Sequence, residues 1–170
     1  MSILWYCKFT IFASMKIKSN EIFNDLFKKY NVKVFIKRLD DISSSISGNK
    51  YFKLKYNIVQ AKKKSCKQII TFGGAFSNHI LATSIISKEN NLKSIAFIRG
   101  EEALPLNPTL KLAKSNGMKI LYLSRTEYRN KHNTDFQKKL ISKYDDSYIL
   151  NEGGTNHLAI KGTEEIISDN

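Results

Sequence analysis

Short apolar runs alternate along the chain with longer segments in which apolar residues recur every three or four positions, the signature of strands interleaved with helices. Ile22, Phe23, Leu26 and Phe27 stand at helical spacing after Asn20, and Asn31 then opens an apolar run, so the entry reads as a helix followed by a strand over residues 32–36. Residues 43–49 are a loop by composition. Gly48 can take positive φ there and presents Lys50 at a loop-to-helix junction. Phe52, Leu54, Tyr56, Ile58 and Val59, mixed with polar residues, predict a helix over about 50–64. Beyond it the alternation becomes regular. Strands are predicted over 68–72, 94–98, 118–123 and 147–150, helices over 78–89, 108–116 and 131–143, and a last helix opens across 158–167.

Strands alternating with helices at this spacing require right-handed crossovers, which makes the chain an α/β protein with an open, mainly parallel sheet and helices on both faces. Ser77 before Asn78, Pro108 after Asn107, and Gly117 beyond a helix all match helix-boundary chemistry. No internal repeat or Gly/Ser linker divides the sequence. It reads as an N-terminal extension with its entry helix over 1–30, followed by one unit over 31–170.

Composition changes this picture little. At 170 residues and 42% hydrophobic the chain can bury a core, which excludes a disordered or collagen-like protein. The 28 Lys and Arg against 15 Asp and Glu give a net charge of +13, a field that could attract nucleic acid, an anionic membrane or a phosphorylated ligand. The lysines are spread along the chain, however. Their one dense run, Lys62 to Lys64 with Lys67, falls where a helix ends and cations complement its dipole, so no nucleic-acid partner is assigned. Cys7 and Cys66 are too few and too far apart for a disulfide framework and lack further Cys or His at ligand spacing. A reducing cytoplasm and no metal follow as expectations. The apolar residues 1–13 are interrupted by Lys8 and fall short of the roughly 20 residues of a spanning helix, so no membrane partner is assigned; a secretory signal and a start at Met15 stay open.

Two segments carry candidate chemistry, Gly48-Asn49-Lys50-Tyr51-Phe52-Lys53-Leu54-Lys55-Tyr56 and Thr71-Phe72-Gly73-Gly74-Ala75-Phe76-Ser77-Asn78-His79. In the second, a strand runs into two glycines, and the next helix starts with free backbone N–H groups at the carboxyl end of the sheet, where open α/β sheets bind ligands. A tight strand-to-helix turn capped by Ser77 explains the same residues without a ligand.

Together the two segments resemble the family of 1-aminocyclopropane-1-carboxylate deaminases and D-cysteine desulfhydrases, pyridoxal 5'-phosphate (PLP) enzymes of the tryptophan synthase β-like fold. Ile98-Arg99-Gly100-Glu101-Glu102, Leu106-Asn107-Pro108-Thr109-Leu110, Ser124-Arg125 with Tyr128-Arg129, and Glu152-Gly153-Gly154-Thr155-Asn156 continue the resemblance in order, from about Val34 onward. It implies that Lys50 carries PLP covalently and moves the substrate proton. It further implies that Asn78 bonds the cofactor ring oxygen, that Lys53 helps bind its phosphate, and that Ser77, with Asn78 and His79, contacts a small amino-acid substrate. A neutral lysine is the nucleophile such chemistry needs, and a partly desolvated position beside other cations favours it.

Family members are about twice this length, so the sequence reads as the N-terminal part of such an enzyme. The glycine-rich phosphate loop, the partner of the pyridine nitrogen and the residues that select substrate are expected in the other half. A homodimer or a complementing C-terminal chain is the expected protein partner, and the chain alone is expected to be inactive. The implied reaction releases ammonia and a 2-oxo acid. A decayed enzyme remnant and a non-catalytic basic α/β binding module are the alternatives.

Overall fold

The computed structural model describes residues 17–43, 45–46 and 48–168. Residues 1–13, Cys7 and the alternative start at Met15 lie outside the described residues. In chain order the elements are β1 (Ser19–Ile22), α1 (Asp25–Lys29), β2 (Val34–Lys37), α2 (Lys50–Lys63), β3 (Gln68–Gly73), α3 (Asn78–Glu89), β4 (Lys93–Arg99), α4 (Pro108–Ser115), β5 (Met118–Leu123), α5 (Arg125–Arg129), α6 (Thr134–Lys143), β6 (Ser147–Leu150) and α7 (His157–Ser168).

The entry departs from the sequence expectation. Residues 19–22 form a strand paired antiparallel with β2, Ser19 opposite Lys37 and Ile22 opposite Val34. The helix predicted from Asn20 is confined to α1, because the Asn24 side chain accepts the Leu26 N–H at 2.9 Å and caps it there. The following strand starts later than predicted because Asn31 turns the chain with φ +50° and the Val32 N–H is taken by the Phe27 carbonyl at 2.9 Å. Likewise the helix predicted over 131–143 starts at Thr134, where the Asn133 side chain accepts the Asp135 and Phe136 N–H groups at 2.9 and 3.0 Å.

The main sheet has the order β5-β4-β3-β6 and every pairing in it is parallel, as the alternation of elements predicts. β3 is the central strand and is buried along nearly its whole length. Its side chains divide between two cores. Ile69 packs with Leu54 and Ile58 of α2, Ala82 and Ile86 of α3, and Leu150 of β6. Ile70 and Phe72 pack on the opposite face with Ile95 and Phe97 of β4, Tyr128 of α5 and Leu140 of α6, the Phe72 and Phe97 rings stacked at 5.7 Å. Ala96 and Ile98 of β4 meet Ile80, Leu110, Ala113 and Met118 from α3, α4 and β5. Two-sided burial of this kind is why the strands read as continuous apolar runs. Among the described residues no helix is long and apolar enough to cross a membrane.

α7 closes the layer by packing against α2 without any side chain between them at Gly162. A Cβ there would lie 2.0 Å from the Phe52 carbonyl oxygen, a backbone atom that cannot step aside. Gly162→Ala therefore forces the two helices apart. We expect it to lower unfolding stability by about 2 kcal/mol or more, the scale of core overpacking, read as a lower urea midpoint.

Candidate active site

Lys50 is the first residue of α2. Asn49 before it contributes no side-chain cap; instead its Oδ1 accepts a hydrogen bond from Lys50 Nζ at 2.7 Å. Gly48 has φ +65°, the left-handed conformation the sequence suggested for this turn. The Lys50 amine is partly withdrawn from water. That loss of hydration, and then the charge of Lys53 one turn later, hold its pKa below the ordinary lysine range and favour the neutral form.

Lys53 is fixed from the turn after β6, its Nζ donating to Thr155 Oγ1 at 3.2 Å. One turn on, Asn57 is fully buried. Its Nδ2 donates to the Lys53 carbonyl at 2.8 Å and to Asn156 Oδ1 at 3.2 Å, while its Oδ1 accepts from Asn156 Nδ2 at 2.6 Å and from the Tyr148 hydroxyl at 2.9 Å. With both donors and the acceptor used, this buried amide ties the turn that follows β6 to α2.

At the carboxyl end of β3 the chain turns through Gly74, whose carbonyl accepts the Ser77 N–H at 3.1 Å. Ser77 occupies the cap position of α3, extended at φ −77° and ψ 117°, but its side chain makes no capping hydrogen bond. The cap predicted from sequence is thus a cap in position only, and the Ser77 hydroxyl stays available to a ligand. Asn78 is exposed on the first turn. Asn107 steadies the loop from α4: while its Oδ1 caps that helix at Leu110 N–H, 3.0 Å, its Nδ2 donates to the Ala75 carbonyl at 3.1 Å.

His79 lies deeper than a substrate contact on the surface would, at 2% exposure. Its Nε2 is 2.8 Å from Thr71 Oγ1, and the Thr71 hydroxyl donates to the Leu150 carbonyl at 2.9 Å. With the hydroxyl proton committed to Leu150, the imidazole donates from Nε2. Nδ1 then bears the lone pair, buried and without a hydrogen-bond partner among the described residues. Burial, and then the charges of Lys50 and Lys53, push the His79 pKa down to about 3, so the ring is neutral. Gly154 lies against it, where a Cβ would be 3.5 Å from His79 Cε1 and 3.6 Å from Lys53 Cβ. α2, α3 and the turn after β6 meet around this ring.

The sequence reading selected Lys50, Lys53, Ser77, Asn78 and His79, and the fold brings the first turns of α2 and α3, which carry them, to one end of the sheet. It missed Thr71, Asn57 and Asn107, and treated Thr155 and Asn156 as a turn motif. An asparagine in the middle of a helix, as at Asn57, was the one local signal, since its side chain competes with the helix backbone unless tertiary partners use it.

Comparison with known proteins places the chain. It is 36% identical over 152 residues to a Thermotoga maritima protein provisionally named 1-aminocyclopropane-1-carboxylate deaminase, covering 88% of this chain and 48% of that protein. A bifunctional D-cysteine desulfhydrase/1-aminocyclopropane-1-carboxylate deaminase, mitochondrial, from Arabidopsis thaliana is 29% identical over 138 residues, covering 76% of this chain and 34% of the relative. The chain belongs to this deaminase and desulfhydrase family. The crystal structure of an ACC deaminase homologue has the same fold, with a TM-score of 0.74 at 24% identity over 91% of this chain and 47% of that one. A hydrogen sulfide-producing enzyme from Fusobacterium nucleatum shares it at a TM-score of 0.62 and 16% identity, over 90% of this chain and 49% of that one. No family model matches. The chain spans about half the length of the first curated relatives it matches, 48% and 41%, as an N-terminal part of the deaminase and desulfhydrase fold would.

The buried imidazole gives a pH prediction. In the unfolded chain His79 takes a proton near pH 6.5, in the folded chain only near 3. Its contribution to stability is therefore complete above the unfolded value and is lost as pH falls from there toward 3, at about 1.4 kcal/mol per pH unit. His79→Gln keeps an N–H donor for Thr71 but cannot titrate. Urea unfolding from about pH 7 to about pH 4.5 should show that slope in the parent chain and its loss in the variant.

Proposed function

We propose that this chain carries the lysine-bearing part of a PLP-dependent deaminase or lyase. Its substrate is a small amino acid, 1-aminocyclopropane-1-carboxylate or D-cysteine, and its products are ammonia and a 2-oxo acid, with sulfide from the cysteine. Lys50 carries the reading: an amine biased toward neutrality, at the start of a helix that faces the turn after β3, in a chain of this family.

The described residues fit such a cofactor on their own chemistry. Space is open over Gly74, where a Cβ would meet no atom within 4 Å. The Ser77 hydroxyl is not spent on capping, and Asn78 stands exposed beside it. Lys50, Lys53 and Asn78 are assigned to hold the cofactor, and Ser77 and Asn78 to the substrate side, with the buried His79 beneath them. When bound, the group supplies an electron sink for the charge left as a bond at the substrate α-carbon breaks.

The protein residues then divide the remaining work. Lys50 Nζ, held by Asn49 and lowered in pKa, is neutral in a larger share of molecules near neutrality and so free to accept a proton. Ser77 and the backbone amides around it supply donors for the substrate carboxylate. His79, neutral and fixed by Thr71, supports the floor under the first turn of α3 without adding positive charge beside Lys50. Catalysis by the whole enzyme draws on the other half of the family fold, supplied by the same polypeptide or by a complementing chain.

Titrating the chain with PLP while recording its visible spectrum tests the assignment. A saturable band at roughly 410–430 nm, from the cofactor's general chemistry, should form with the parent chain and be absent from Lys50→Ala. An identical band in both would remove Lys50 from the role.

A further inference from the structure

A concave site opens at the same end of the sheet; it borders the candidate site at the Gly74–Ala75 turn and is lined by neither Lys50 nor Lys53. It is a cavity of about 660 Å³ reached by residues just beyond the carboxyl ends of all four parallel strands. The chain leaves β4 toward α4 and leaves β5 toward α5, and these helices pack into cores on opposite faces of the sheet. Neighbouring strands whose connections diverge in this way leave a crevice, the general location of ligand sites in open α/β sheets.

What lines the cavity is cationic. Arg99, Arg125, Arg129 and Lys131 converge on it, against Glu101 and Glu152. Lys131 answers Glu152, Nζ to carboxylate 3.3 Å, while the three guanidinium groups have no carboxylate within ion-pair distance among the described residues. Between them stands Tyr128, 3% exposed, with Arg99 and Lys131 at 6.0 and 4.7 Å from its ring centre. Its hydroxyl is buried, and that burial, and then the Glu152 carboxylate beside it, raise its pKa. Like charges gathered in a concavity repel, and a bound anion relieves that repulsion.

We propose that this pocket binds a small multivalent oxyanion, a phosphate- or carboxylate-bearing molecule gripped by Arg99, Arg125 and Arg129. Planar guanidinium forks match either anion through paired N–H bonds. The volume is that of a small-molecule site, and the site stands whether or not Lys50 has the role proposed for it above.

Isothermal titration of the chain with inorganic pyrophosphate, and separately with citrate, is the test. One-to-one saturable binding of at least one anion is expected, weakened about tenfold in Arg125→Gln and further in Arg125→Gln/Arg129→Gln, the scale of a lost charge-assisted contact. Glu101→Gln should tighten it. Preference for pyrophosphate assigns a phosphate ligand; preference for citrate assigns a carboxylate one. Both arginines are exposed, and unliganded melting curves confirm that the variants fold. Equal affinity in the double variant, or binding of a single-stranded oligonucleotide but of neither small anion, would overturn the proposal.

Discussion

The close approach of α7 to α2 is the constraint on which the candidate site depends. Because Gly162 has no side chain, α7 rests on the Phe52 carbonyl, and the turn before it is drawn over the same helix. There Asn156 and Asn57 join their amides, Thr155 meets Lys53, and Gly154 covers His79. From His79 the connection runs through Thr71 of β3 to the Leu150 carbonyl of β6, and so back to the sheet. Lys50 stands at the open end of this assembly, one turn from the residues that are fixed.

Much of the fold was legible because two-sided burial writes itself directly into sequence. β3, β4, β5 and β6 are apolar runs bounded by polar turns, and Asn107 with Pro108, or Gly117 past a helix, marks an end by local chemistry alone. The entry was not legible in the same way. Ile22, Phe23, Leu26 and Phe27 fit a helical period, yet Phe23 and Leu26 are largely exposed and Ile22 belongs to a strand. In so short an apolar run, strand pairing and an asparagine cap outweighed periodicity.

The site divides similarly. Lys50, Lys53, Ser77, Asn78 and His79 stood out because they lie in compact motifs beside glycines, where backbone and chemistry are read together. Asn57 and Asn156 join across 99 positions, and Thr71 reaches the Leu150 carbonyl 79 positions on as well as His79 eight positions on, so a local window holds at most part of their role. Ser77 shows the opposite case: the sequence implies a helix cap, and the fold leaves its hydroxyl without that bond. A residue released from its expected structural duty beside an open glycine turn is what supports a ligand-facing assignment.

The central claim is that Lys50, among many lysines in a chain of charge +13, is chemically set apart by its position. Borohydride reduction of the chain incubated with PLP, followed by peptide mapping, tests it most directly, because reduction fixes the cofactor to whichever amine holds it. The account predicts the pyridoxyl group on the peptide bearing Lys50 at substoichiometric PLP, ahead of Lys62, Lys63 and Lys64. Label spread over those other lysines, with Lys50 unmodified, would contradict it.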